Sequence, residues 1–436
     1  MNGHALHGSS GERMGGGAES SGGARLLSAR PAFRALFLSR TVSFTGEAVA
    51  LVALMLYVAD SAGQAIAVSL LLLVGDFAPA LFGPLTGAIS DRWALRRVMI
   101  VSEFAQGALL LLMALSLPGL PLLLALVAAR ALAGQVFLPA SRAAVPALVR
   151  ARELASANAL IGFGTNGAEA VGPLLAAALF PVLGVRGVLA GAAFAYLCSA
   201  LLLASRLPPL ARARDEREPA GSLLAHAREG LAYIRRDRSA RVITLGFCAV
   251  VAFNGIDDVA LVLLAKDTFG SGDSAVGLLL AAVGIGLVAG YALLARRGAR
   301  GSMAVLLVAG FAVSSAGNLL TGLAWAVAAA FALQAVRGLG IAAMDVATNT
   351  LLQRAVPPGM LGRVFGNFYG AVGVAAGLSY VAGGLLLDAT SPRTALLIAG
   401  ASGLVATLLV AWRLPRALAR AEEEQSPGGV AGRSAG

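Results

Sequence analysis

The chain holds 436 residues, 58% of them hydrophobic and only 13% charged, where a soluble domain carries roughly 25% charged residues. That composition excludes a water-soluble globular class. The net charge of +11 does not point to nucleic acid, because the basic residues lie in short clusters between apolar runs and not on one patch.

In chain order, residues 1–33 are Gly/Ser-rich with scattered arginine and read as a disordered tail. No small-residue cleavage site follows the first apolar run, so that run is expected to stay as a helix. Apolar runs of about 20 residues, each long enough to cross a ~30 Å hydrocarbon core, fall at 34–58, 66–90, 97–117, 120–142, 156–182 and 186–204. Residues 205–241 interrupt them as a polar linker. Within it Ser222 is placed to cap an amphipathic helix carrying Leu223, Leu224, Ala227, Leu231 and Ile234, expected to lie at the membrane surface. Six more runs follow at 242–265, 274–296, 302–324, 326–352, 363–387 and 393–413, and a second disordered tail is expected over 415–436. The domain reading is therefore two six-helix bundles, 34–204 and 242–414, joined by the linker.

Twelve crossings put both termini on one side. That side receives Arg92, Arg96, Arg97, Arg142, Arg150, Arg152, the linker arginines and Arg296, while the other receives Arg186, Lys266 and Arg393. The excess marks the cytoplasmic side, so a multi-pass inner (plasma) membrane protein with both termini cytoplasmic is expected.

The two halves echo each other. Glu47 followed by Val49-Ala50-Leu51-Val52 matches Asp257 followed by Val259-Ala260-Leu261-Val262 at an offset of 210. Arg130-Ala-Leu-Ala-Gly134 matches Arg337-Gly-Leu-Gly340 at an offset of 207. A duplicated six-helix unit follows, and transporters built this way bind substrate between the halves near the midplane.

Glu47, Asp76, Arg130, Glu169, Asp257, Asp258, Arg337 and Asp345 all fall inside spans. At about 2.5–3.5 kcal/mol for each ionisable side chain facing lipid at a helix centre, they are expected to face a watery cavity or each other. Functional and structural roles both remain open for Asp76, Glu169 and Asp345. No histidine lies in a span, since the three are His4, His7 and His226. Any proton coupling then falls to carboxyls. Cys198 and Cys248 are both in spans and suggest neither a disulfide framework nor a metal site. Phe44, Phe77, Phe163 and Phe253 read first as packing residues and second as substrate contacts.

The stretch GPLTGAISDRWALRR over 83–97 resembles the loop between helices two and three of the major facilitator superfamily. Gly87, Asp91, Arg92, Arg96 and Arg97 match that motif, with Ala94 in place of a glycine and the basic pair shifted by one. Gly87 suits a close helix approach, and Asp91 is placed to meet the N-terminus of span eleven, just after Pro357-Pro358. Arg130 with Gly134 is similar to the helix-four arginine motif of proton-coupled members. Gly167, Gly172 and Pro173 resemble the helix-five Gly-Pro motif of drug:proton antiporters, with alanine where a further glycine is usual. FRALFLSRTVSFTGEAVA, FLPASRAAVPALV and EGLAYIRRDRSAR look like the branch holding macrolide and siderophore exporters.

The resemblance implies an all-α fold of twelve transmembrane helices in two pseudo-symmetric bundles, working by alternating access; a monomer is expected. It implies proton-driven export of amphipathic small molecules. No cofactor or metal is expected, and the spans hold no His or Cys constellation that would point to an enzyme. Glu47 is then the leading proton carrier, because partial desolvation tunes a carboxyl to bind and release a proton within one cycle, and Arg130 is its counter-charge. One alternative keeps the fold and carries an anionic metabolite on Arg130 and Arg337. Another is a receptor or scaffold that transports nothing.

Overall fold

The computed structural model describes residues 23–62, 70–71, 74–75, 82, 86, 89, 93–210, 223–271, 273–297 and 301–425. Among them every regular element is helical. The first set of helices is α1 (Gly23–Ala29), α2 (Pro31–Ala62), α3 (Leu95–Ser116), α4 (Leu120–Leu148) and α5 (Leu154–Arg206). The linker helix α6 (Leu223–Arg236) follows. The second set is α7 (Arg238–Asn254), α8 (Asp257–Leu263), α9 (Asp273–Arg297), α10 (Met303–Gly322), α11 (Val327–Ala355), α12 (Leu361–Ala389) and α13 (Pro392–Gln425). Ten segments among the described residues are long and apolar enough to cross a membrane. The expected span at 66–90 lies largely outside the described residues.

The helix ends follow local chemistry. Asp237 caps α7 by accepting from the Ala240 amide at 2.6 Å, and Ser391 accepts from the Thr394 amide at the start of α13. Inside α5 the backbone breaks at Gly184, with φ 61° and ψ −177°, a conformation that a side chain disfavours. The break separates the expected spans 156–182 and 186–204. α4 runs on past residue 142 to Leu148 although Pro139 and Pro146 lie within it, as membrane helices tolerate. Span seven is divided instead. α7 stops at Asn254, α8 restarts at Asp257, and a π-turn covers Leu264–Thr268.

Three stretches differ from the expected tails and linker. Residues 23–29 form α1 with Leu26 buried, where a disordered tail was expected through residue 33. At the other end α13 continues to Gln425, beyond the tail's expected start at 415. The linker helix seats His226, Ala227 and Ile234 in protein and leaves Leu224 and Leu231 exposed. Its docking is tight, because a Cβ on Gly230 would meet the Arg363 backbone oxygen of α12 at 2.8 Å. Arg363 also pairs with Glu229, and Asn367 donates to the Ala227 carbonyl at 3.0 Å. Tyr233 donates its hydroxyl to the last-turn carbonyl of Ala355 at 3.1 Å. Burial, and then the nearby Asp237 carboxylate, pushes this phenol up to about 12, so it stays a donor at physiological pH.

The two sets pack on one another at the arginine-rich end, the end that holds Arg150, Arg152 and Arg296. There α5 meets α9 closely enough that a Cβ on Gly162 would collide with the Tyr291 ring. One buried cluster gathers residues of both sets, including Leu148, Ile161, Leu351 and Phe365, and Asn158 of α5 donates across the boundary to Gln353 at 2.6 Å and to Thr350 at 3.1 Å.

Candidate functional site

Glu47 stands at the middle of α2, the helix over Pro31–Ala62. Its carboxylate meets the Arg130 guanidinium of α4 at 2.9 Å, and the Glu47 side chain is 38% exposed against 8% for Arg130. Arg130 reaches the Tyr196 hydroxyl of α5 at 3.4 Å as well. The exposed side of Glu47 opens on a cavity of about 240 Å³ walled by α2, α3, α4 and the second part of α5, with Ser43, Glu103, Gln106, Gln135 and Tyr196 in its lining. This cavity sits within the first helical set, whereas the duplicated plan placed a site between the two sets. Drug-sized ligands occupy pockets of roughly 300–1,000 Å³. A cavity of this size and polarity suits several waters instead.

The repeat places a second pair at the matching position. Asp257, at the start of α8, pairs with Arg337 of α11, and their side chains are only 10% and 5% exposed. Arg337 also donates to Gln334 at 3.2 Å. Gln334 in turn donates to Asn318 at 3.2 Å and Thr321 at 3.0 Å. Asn318 donates to Asn254 at 3.0 Å, and Asn254 to Ser315 at 3.2 Å. Gln334, Asn318 and Thr321 are fully buried. A Cβ on Gly317 would meet that of Arg337 at 2.7 Å, so glycine there makes room for the arginine. The two repeat-related acids thus differ in access: Glu47 faces a cavity, and Asp257 is buried against a hydrogen-bonded network.

Asp345 does something else. It accepts from the Tyr291 hydroxyl at 3.1 Å and from Asn349 at 2.8 Å, and Arg142 of the first set approaches to 3.8 Å. Tyr369 donates to the Asn349 side-chain oxygen at 2.9 Å. Arg142 donates to Asn158 at 3.3 Å, and Gln353 donates to the Arg142 carbonyl at 3.0 Å. By sequence position Arg142 counts among the loop charges that mark the cytoplasmic side. It is instead 6% exposed inside this inter-set network, because α4 does not end where the charge suggested.

Of the helix-five motif, Gly172 packs α5 against α2, since a Cβ there would collide with Ala48, the neighbour of Glu47. A Cβ on Gly167 would meet nothing within 4 Å. The side chains of Glu169, Pro173 and Asp258 are outside the described residues, as are Asp76, Phe77, Gly87, Asp91 and Arg92. Arg96 donates to the Ala204 carbonyl at the end of α5, and Arg97 is exposed. Phe44 lines the Glu47 cavity, while Phe163 and Phe253 are exposed, at 38% and 44%. Neither of these two is a core-packing residue within the protein.

Two charged residues escaped the sequence reading. Glu103 of α3 is 1% exposed, lines the cavity, and has one carboxyl oxygen without a hydrogen-bond partner. Arg40 of α2 is 2% exposed, donates to Ser141, and has its guanidinium 5.1 Å from the Phe44 ring centre. The available signal was an acid deep in a span with no basic residue three or four positions away, which Glu103 satisfies.

Comparison with known proteins agrees with this architecture. The family model described as Major Facilitator Superfamily matches residues 36–264 and 258–433. The chain is 24% identical over 376 residues to an uncharacterized MFS-type transporter, YfiS, of Bacillus subtilis, covering 84% of this chain and 89% of the relative. It is 25% identical over 215 residues to macrolide efflux protein A of Streptococcus pyogenes, covering 47% and 52%. In structure it is similar to a bacterial homologue of the iron transporter ferroportin in an outward-facing state, with a TM-score of 0.71 at 16% identity over 87% of this chain and 98% of that one. The Escherichia coli fucose:proton symporter FucP gives a TM-score of 0.70 at 15% identity, with 87% and 98% covered. At such identities the structural likeness speaks for the fold alone. The chain belongs to the Major Facilitator Superfamily and is a multi-pass membrane transporter.

Proposed function

We propose that the protein is a proton-coupled exporter of amphipathic small molecules, working by alternating access with the arginine-rich end on the cytoplasmic side. The observation that carries the proton assignment is the asymmetry between the two acid–arginine pairs. Glu47 is 38% exposed to a polar cavity while it touches Arg130, so water can bring and remove its proton. Asp257 is 10% exposed beside Arg337. A charge sealed in that way is strongly destabilising when its partner is lost. In this reading Glu47 is the carrier, Arg130 the counter-charge, and Asp257–Arg337 the fixed support of the second set.

Export of amphipathic compounds rests on the partial likeness to macrolide efflux protein A and on the motifs that resemble that branch. The anionic-metabolite alternative is less well supported, because Arg130 and Arg337 already hold carboxylates. The alternating-access part rests on the inter-set network around Arg142 and Asp345, which would close the cytoplasmic end and leave the protein facing outward.

The test is proton flux in proteoliposomes holding a pH-sensitive dye, screened over amphipathic cations, macrolides and organic anions. Alkalinisation or acidification of the lumen on adding one class supports coupled transport of that class. Transport of any compound with no accompanying proton movement at any pH contradicts the reading.

A further inference from the structure

On the lipid-facing side of the second set, α7 and α13 enclose a groove of about 340 Å³. Its walls include Leu245, Ala249 and Leu409, and Arg241 and Arg413 also line it. The helices touch at its floor, where a Cβ on Gly246 would lie 2.5 Å from the Val410 side chain. The helices run antiparallel, and Arg241 precedes Gly246 by five residues while Arg413 follows Val410 by three. At 1.5 Å per residue, both arginines therefore lie roughly one turn beyond the floor toward the same, arginine-rich end. The groove is apolar along its length and cationic at one end.

A second observation sets the level of that end. Trp412 is 59% exposed, and the Arg416 and Arg413 guanidinium groups lie 4.6 and 6.0 Å from its ring centre. An exposed tryptophan among arginines at a span's end belongs at the headgroup layer. Leu245 and Leu409 are 62% and 51% exposed, as lipid-facing residues are. Among the described residues no carboxylate pairs with Arg241 or Arg413. Arg241 donates one N–H to the Arg235 carbonyl at 2.8 Å, leaving most of its five donors free.

We propose that this groove binds an anionic phospholipid, with the phosphate between Arg241 and Arg413 and one acyl chain along the α7–α13 seam. Two guanidinium groups match a phosphate in charge and donor geometry. A free phosphate would leave the apolar length of the groove unused. The bond from Arg241 to Arg235 ties the lipid to the end of the linker helix, so the lipid steadies the linker where it leaves the membrane.

The experiment is thermal unfolding of the full chain in nanodiscs of phosphatidylcholine, with and without a fraction of phosphatidylglycerol. The wild type is expected to unfold several degrees higher with phosphatidylglycerol. The double variant Arg241→Gln/Arg413→Gln should match the wild type in phosphatidylcholine and lose most of the gain. Arg296→Gln, an exposed arginine at the same end, should keep it. A second variant, Ala249→Phe, fills the groove without changing charge and should also lose the gain. Retention of the gain in the double variant or in Ala249→Phe overturns the proposal, as does an equal loss in Arg296→Gln. Reproduction of the gain by sn-glycerol 3-phosphate in phosphatidylcholine overturns it in favour of a soluble anion.

Discussion

Arg142 of the first helical set and Asp345 of the second meet across the boundary between the sets, Nη2 to Oδ2 3.8 Å apart. Neither stands alone, for Tyr291 and Asn349 hold Asp345 and Asn158 holds Arg142. The pair is therefore one part of a hydrogen-bonded latch that must open if the arginine-rich end is to open. Asp345→Asn keeps the shape and removes the charge, leaving Arg142 buried without its ion partner. The expected cost to the closed state is about 1–3 kcal/mol, which moves the balance between states by roughly 5–150-fold. Distances between spin labels placed across the arginine-rich end should broaden toward longer values. An unchanged distribution in a well-folded variant removes the latch role.

The Asp257–Arg337 pair is expected to behave as structure. Asp257→Asn or Arg337→Gln alone should destabilise the fold by about 3–5 kcal/mol, because each leaves a buried charge unpaired. The double variant should recover much of that loss in a thermal melt, because Gln334 and the amide network can engage the neutral side chains. Equal loss in the double and single variants would show that the ion pair itself is not the stabilising contact.

Gly172 should tolerate little enlargement. A side chain there meets Ala48, so Gly172→Val is expected to cost about 1–3 kcal/mol by overpacking and to displace α2 at the position of Glu47. Ala48→Gly in the same chain should return part of the stability and part of the transport rate. Gly167→Ala meets open space and should change stability little. A melt in which both glycine variants fall equally would contradict the packing argument.

The tie between Tyr233 and Ala355 gives a smaller prediction. Tyr233→Phe removes a hydroxyl that donates at 3.1 Å and should lower stability by about 0.5–1.5 kcal/mol. Hydrogen exchange over residues 223–236 should quicken while exchange in α2 does not. Unchanged exchange in the linker helix would separate its docking from this bond.

Much of the scaffold was legible because lipid limits the choices. Runs of 20 apolar residues can only be helices, and a repeated acid and arginine point to equivalent helices. Glu47 meets Arg130 and Asp257 meets Arg337, at positions that the repeat makes equivalent. Which pair would be sealed did not follow, because the seal comes from Asn254, Asn318 and Gln334 meeting from three helices. Arg142 was misplaced for a related reason. The apolar span is expected to end at residue 142, on the arginine itself, yet α4 continues through Pro146 to Leu148. Glu103 and Arg40 have no charged counterpart in the repeat, which singles out Glu47, Arg130, Asp257 and Arg337 instead.

The central claim is that Glu47 carries the coupled proton, and Glu47→Gln tests it most directly. Glutamine keeps the volume and the contact with Arg130 but cannot titrate. The measurement is uphill transport of one identified substrate in proteoliposomes under an imposed proton gradient, alongside substrate binding at several pH values. The account predicts that Glu47→Gln abolishes uphill transport, leaves binding and exchange measurable, and removes the pH dependence of binding. Uphill transport by Glu47→Gln at the wild-type rate, with binding still pH-dependent, would contradict it.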